Sequence, residues 1–256
     1  MARRQAADGR RGLDDLRPEC GRACRRLAGA RAARRGGLAR VKAEFAASAR
    51  YALDAGFDVV ELHAAHGYLL HQFLSPVANR RDDGYGGTPE RRMRFPLEVV
   101  EAVRRVWPAD RPFGVRVSAT DYLPGEGADV PDAVRFVSAL KPLGVDFVDV
   151  SGGGISPRQQ VKTGPGYQVG YAERIRRETG LTTFAVGMIT EPHQADAIIR
   201  DGRADAVMLA RGMLNDPLWC WRAADALGGT VHCPPQYLRG RRLGMDISRT
   251  VTPRAV

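Results

Sequence analysis

Five short apolar runs alternating with helical patterns predict a parallel α/β fold of the (β/α)8 barrel class. Three observations carry that reading. The runs are rich in β-branched residues and have the length of buried strands. Amphipathic stretches of helix length separate them, as parallel pairing with right-handed crossovers requires. The last two runs end in small residues and an arginine, Val186-Gly187 and Ala210-Arg211, which is how such barrels build a phosphate site after strands 7 and 8.

The elements follow in order. Val41 to Ala55 has apolar residues at helical spacing and stops before Gly56. Residues 57 to 62 form the first strand, whose run Val59-Val60-Glu61-Leu62 feeds into His63, His66 and Tyr68. That delivers two imidazoles and a phenol to the C-terminal end of a parallel strand, the end where such folds do chemistry. A long loop follows, with turn signals at Asp83-Gly84 and Gly86-Gly87. Glu90 to Val106 is helical, with Phe95, Val99 and Val103 on one face and Pro108 closing it. Phe113 to Ser118 is a strand, and Val130 to Leu140 a helix opened near Pro131.

Val145 to Ser151 is the third strand, running into Gly152-Gly153-Gly154. By itself that glycine run is a weak phosphate signal. Helix 170–178 leads to a fourth strand, Thr182 to Val186, and helix 191–200 to a fifth, Ala204 to Ala210. A last helix, 216–227, precedes Pro234-Pro235 and an irregular basic tail.

The net charge is +10, but twelve arginines against four carboxylates put +8 of it in residues 1–40. That stretch has no aromatic residue to stack on bases, so nucleic-acid binding is not expected. The domain organisation expected is an Arg-rich segment over 1–40, outside the domain and either disordered or mis-started, the barrel domain over 41–240, and a basic tail over 241–256. No apolar run approaches the roughly 18 residues of a membrane span. Cys20, Cys24, Cys220 and Cys233 lack paired zinc spacing, so no metal is expected and a reduced cytoplasmic setting is.

Two long gapless stretches carry a resemblance. His63-x-x-His66-Gly67-Tyr68-Leu69-Leu70-His71-Gln72-Phe73-Leu74-Ser75-Pro76, then Asn79-x-Arg81-x-Asp83-x-Tyr85-Gly86-Gly87-Thr88 with Glu90, Arg92, Arg94 and Phe95, resemble the Old Yellow Enzyme family of FMN-dependent ene-reductases. The likeness continues through Arg116, Ser151, Ala185-Val186-Gly187-Met188-Ile189, Leu209-Ala210-Arg211 and Gln236-Tyr237-x-Arg239, and is greatest to the bacterial branch with two histidines. It implies FMN across the barrel mouth, reduced by NAD(P)H and passing hydride to an activated alkene such as an enone or nitro-alkene. His63 and His66 would hold the substrate oxygen and Tyr68 would protonate the neighbouring carbon. Arg116 would stabilise reduced flavin, or act instead as a buried salt-bridge partner. Gly187, Ala210 and Arg211 would hold the FMN phosphate, and Arg239 would reach a neighbouring subunit of a homo-oligomer.

The pattern is also incomplete. In the family the histidine pair follows the fourth strand, so the resemblance implies a truncated barrel of the last five βα units, strands 4 to 8. Arg91 and Ala210 stand where relatives carry Asn and often Gly, both tolerable changes. Two expectations therefore stand side by side: an FMN-dependent oxidoreductase, and a flavin-free remnant without catalysis.

Overall fold

The computed structural model describes residues 35–231 and Pro234. Helix α1 (Arg35–Asp54) leads into strand β1 (Val60–Ala64), a short helix α2 (Leu69–Leu74) and helix α3 (Pro89–Arg104). Strand β2 (Phe113–Ser118), helix α4 (Val130–Leu140) and strand β3 (Phe147–Ser151) follow, then α5 (Val169–Thr179), β4 (Thr182–Ala185) and α6 (Pro192–Arg200). Strand β5 (Ala206–Val207) and helices α7 (Arg211–Asn215) and α8 (Trp219–Ala226) complete the series.

All four strand pairings are parallel, and the spatial order is the chain order, β1-β2-β3-β4-β5. A doubly wound sheet reverses its strand order partway; this one never does. With every crossover of one hand, the helices collect on one face and the sheet curves into an arc of a (β/α)8 barrel. Strand alternation sorts the faces. Leu62, Ala64, Val115, Val117, Val148 and Val150 are buried against the helices, together with Phe95, Val99 and Val103 of α3, which are fully enclosed. Each Val, Leu and Phe of this set contributes about 1.5–3 kcal/mol, and Ala64 less. The other face carries Glu61, His63, Arg116, Ser118, Asp149 and Ser151, the intended barrel interior.

Two elements match the sequence reading residue for residue, β2 and α4. Asp129 and Asp132 form a reciprocal capping box at the start of α4, with proline in its first turn, so its boundary is written in local chemistry. Elsewhere tertiary pairing moved the ends. Strand β1 begins at Val60, where pairing with Phe113 begins, and runs on through His63 to Ala64; Phe57 and Val59 are left exposed. Helix α1 starts at Arg35, six residues ahead of Val41, and already buries Leu38. Strand β5 shrinks to two residues. The last expected helix, 216–227, is present as α8 and starts only at Trp219, after Asp216-Pro217; α7, ahead of it, is a helix the sequence reading did not anticipate. The long loop after β1 contains α2, too short for periodicity to reveal.

The rest of that loop is stapled by its motif residues. Asn79 Nδ2 donates to the carbonyls of Phe73 and Tyr85, both at 2.8 Å. Arg92 donates to the carbonyls of Leu74 and Gly87, and Tyr85 donates to Glu98. The stretch 79–95 is thus a loop-shaping device.

Candidate active site

The C-terminal ends of the five strands gather the sequence-predicted residues at one mouth. His63, Arg116, Asp149 and Phe184 stand in register across β1 to β4, and the next row up pairs Ser118 with Ser151. The row below is filled by Phe147, whose ring stacks on Phe184 with centroids 4.6 Å apart and covers Gly114, where any Cβ would overlap it.

His63 lies in β1, with its Nδ1 buried and unpartnered among the described residues. Its ring sits 5.2 Å from that of His66 and 4.9 Å from that of Tyr68. His66 follows the strand end in a left-handed conformation, φ 56°. It is pinned twice: its backbone N–H donates to Ser118 Oγ at 3.0 Å, and its Nε2 shares a 2.7 Å hydrogen bond with Ser151 Oγ. Ser118 in turn donates to the Gly153 carbonyl. Gly67, φ 78°, continues the turn, and a Cβ there would overlap the Gly154 carbonyl oxygen. Tyr68 then opens α2 with 59% of its surface exposed. The glycine run 152–154 therefore lets two loops meet: a Cβ on Gly154 would strike the His66 backbone, and one on Gly152 the Tyr122 phenol.

Burial, and then nearby charge, set the protonation of the pair. Burial first, then the Arg116 guanidinium, lower the His63 pKa, with a further contribution from His71. The same order of causes, with His63 added, brings His66 down to about 4. At neutral pH both rings are neutral, each with one N–H to donate and one bare nitrogen.

Arg116 is matched by a residue the sequence reading did not single out. Its Nε lies 2.8 Å from Asp149 Oδ2, at angles outside hydrogen-bond geometry. The pairing is one of charge, and Asp149 is fully buried. Burial raises the Asp149 pKa and Arg116 lowers it in part. Of the roles anticipated for Arg116, the salt-bridge partner is the one seen, on a side chain that also borders the histidines. The signal for Asp149 was present as a lone carboxylate inside Phe147-Val148-Asp149-Val150-Ser151.

Gly187, Ala210 and Arg211 lie at the ends of β4 and β5. Tyr167 packs beside Gly187, and its pKa is raised by burial and partly lowered by Arg211, so these residues form one group. Arg211 is exposed and pairs with no carboxylate among the described residues. The histidine and Gly187 groups are joined through Tyr122, whose hydroxyl accepts from Gln168 Nε2 at 3.1 Å; Gln168 backs onto Gly187. Arg239, Gln236, Tyr237, Cys20, Cys24 and Cys233 lie outside the described residues. Among the described residues no acidic, histidine or cysteine cluster could hold a metal ion, and no helix is long and apolar enough to cross a membrane.

The mouth can do three things chemically. It offers neutral N–H donors to an oxygen, a solvent-reachable phenol beside them, and two cations, Arg116 on β2 beside the histidines and Arg211 after β5. An unpartnered buried His63 nitrogen and a carboxylate-free Arg211 fit a flat, anionic, phosphate-bearing cofactor.

The pattern of the NADH:flavin oxidoreductase / NADH oxidase family matches residues 31–228. The chain is 52% identical over 198 residues to an NADPH dehydrogenase of Geobacillus sp. (strain WCH70), covering 77% of this chain and 57% of the relative. It is 46% identical over 197 residues to an NADPH dehydrogenase of Bacillus subtilis (strain 168), with the same coverage. Among solved structures, morphinone reductase superposes with a TM-score of 0.63 at 32% identity, over 79% of this chain and 52% of its own. The chain thus spans just over half the length of the curated relatives it matches.

Proposed function

Because the chain belongs to the NADH:flavin oxidoreductase / NADH oxidase family, we propose that it is an FMN-dependent oxidoreductase that takes hydride from NADPH or NADH and reduces activated carbon–carbon double bonds. The observation that carries this reading is the mouth itself: two neutral imidazoles and an exposed phenol within ring contact, backed by Arg116. FMN, when bound, supplies the hydride chemistry.

This chain's residues supply the rest. His63 and His66 donate N–H groups to the oxygen of an enone or nitro-alkene, where negative charge gathers during reduction. Because both rings are already neutral, the N–H each one offers donates a hydrogen bond and is retained. Tyr68 Oη delivers a proton to the adjacent carbon, and its exposure lets it be reloaded from water. Arg116 places positive charge beside the reacting system, while Asp149 keeps the guanidinium in place. Gly187, the backbone at Ala210, and Arg211 hold the phosphate. A cytoplasmic, homo-oligomeric protein accords with this reading, Arg239 being the residue offered to a neighbour.

The competing reading, a flavin-free remnant, is favoured by one observation: β1 and β5 each have a single neighbour among the described strands, which leaves one side of the mouth uncovered. Incubation with FMN, NADPH and cyclohexenone under nitrogen, followed by product analysis, separates the two. Cyclohexanone is the product expected; retained flavin with no cyclohexanone would sink the ene-reductase assignment.

A further inference from the structure

Behind the histidine pair lies a polar group with no part in the proposed reaction. His71, Ser75 and Asp121 are 2%, 0% and 0% exposed. Burying a ring, a hydroxyl and a carboxylate in an apolar layer is costly unless their polar atoms are paired. Here they are. His71 Nδ1 accepts from the Gly67 N–H at 2.9 Å, so the ring proton belongs on Nε2, which faces Asp121 Oδ1 at 2.9 Å. Asp121 Oδ2 accepts from the Ser75 hydroxyl at 2.7 Å and from the Ala128 N–H at 2.8 Å. Gln72 Nε2 adds a bond to the Gly67 carbonyl at 2.7 Å.

The amide caught by His71 sits between His66 and Tyr68, in the left-handed turn where His66 has φ 56° and Gly67 φ 78°. A non-glycine residue in that region is strained and persists only where its surroundings over-determine it. We propose that His71 is a positioning residue: Asp121 holds its proton on Nε2, leaving Nδ1 bare to grip the Gly67 amide and so fix the turn that aims His66 at Ser151 and Tyr68 at the mouth. It touches neither substrate nor cofactor. The structural part stands on the hydrogen bonds alone; its catalytic consequence rests on the proposed ene-reductase reading.

Substitutions at His71 separate positioning from mere packing. In His71→Asn, Oδ1 replaces Nδ1 and keeps an acceptor for Gly67; His71→Leu keeps apolar bulk and offers none. Nitrogen-15 NMR of the full chain at neutral pH should find the His71 proton on Nε2. Gly67 amide exchange should quicken at least about tenfold in His71→Leu and stay within about threefold of the parent in His71→Asn, with β2 and β3 amides unchanged in both. In the FMN-loaded protein, His71→Leu should slow flavin reoxidation by cyclohexenone by about ten- to a hundredfold, leave flavin reduction by NADPH within about twofold, and be largely rescued by asparagine.

A proton on Nδ1, unchanged Gly67 exchange in the leucine variant, or equal defects in both variants would overturn the proposal. A parent that retains no FMN would instead defeat the ene-reductase reading, with the exchange measurements still deciding the role of His71. If the leucine variant does not fold, the parent tautomer and Gly67 exchange in His71→Asn decide the matter.

Discussion

Tyr68 is the residue on which the proposed chemistry makes its sharpest prediction. Phenylalanine keeps the ring contact with His63 and removes only the proton donor. Tyr68→Phe should therefore slow reoxidation by an enone roughly a hundredfold or more, with reduction by NADPH little changed, as stopped-flow absorbance would read. Two neighbours pull stability in opposite directions with pH. His66 binds its proton at about 4 in the fold against an ordinary 6.5. The unfolded chain thus holds more protons between those values, and the stability of the neutral ring is complete above 6.5 and lost as pH falls toward 4. Glu61, raised to about 7 from 4.5 by burial and then by Asp149, with Arg116 opposing, does the reverse: its contribution fades as pH rises from 4.5 to 7. Protein atoms crowd the carboxyl, yet the residue as a whole keeps an exposed surface on the open face of the sheet, so water offsets part of the burial and screening flattens that slope. Urea midpoints across this range should show Glu61→Gln gaining stability over the parent as pH rises from about 4.5 to 7; a constant difference would contradict the linkage. The histidines and Tyr68 were legible because they sit in one contiguous stretch. Asp121 was not, since nothing in sequence ties it to a histidine 50 positions away; only the fold does.

Strands and helices were legible in proportion to how local their determinants are. Helix α4 carries its own start signal, and that signal has a measurable worth. Asp129→Ala removes the acceptor that the capping box uses and should cost about 1 kcal/mol, read as a lower denaturation midpoint, with Asp129→Asn costing less. Strand β1 is the opposite case. Its apolar run predicts a strand, but its register is set by β2, and the shift carries His63 from the loop into the strand beside Arg116. Helix α2 has six residues and a buried His71, a polar residue that blurs its apolar face. Helix α7 has only five residues, too few for periodicity to reveal, and Asp216-Pro217 separates it from α8.

Across the whole molecule, βα alternation calls for a parallel sheet with crossovers of one hand, which a doubly wound sheet would also satisfy; the unreversed order β1 to β5 and the small-residue and arginine ends of the last two strands single out the barrel arc. The electrostatic plan of the interior face is different, since it depends on register between strands far apart in the chain. One row sets His63, Arg116 and Asp149 side by side, so a buried carboxylate balances the cation that, after burial itself, helps keep both histidines neutral. In the proposed function that plan serves FMN, and the central claim is that these five units hold it. The direct measurement is to express residues 1–256, add FMN, desalt, and record the visible spectrum before and after anaerobic NADPH. Retained flavin bands that bleach with NADPH are the predicted result. A colourless protein that is otherwise folded would contradict it and leave this chain a flavin-free remnant.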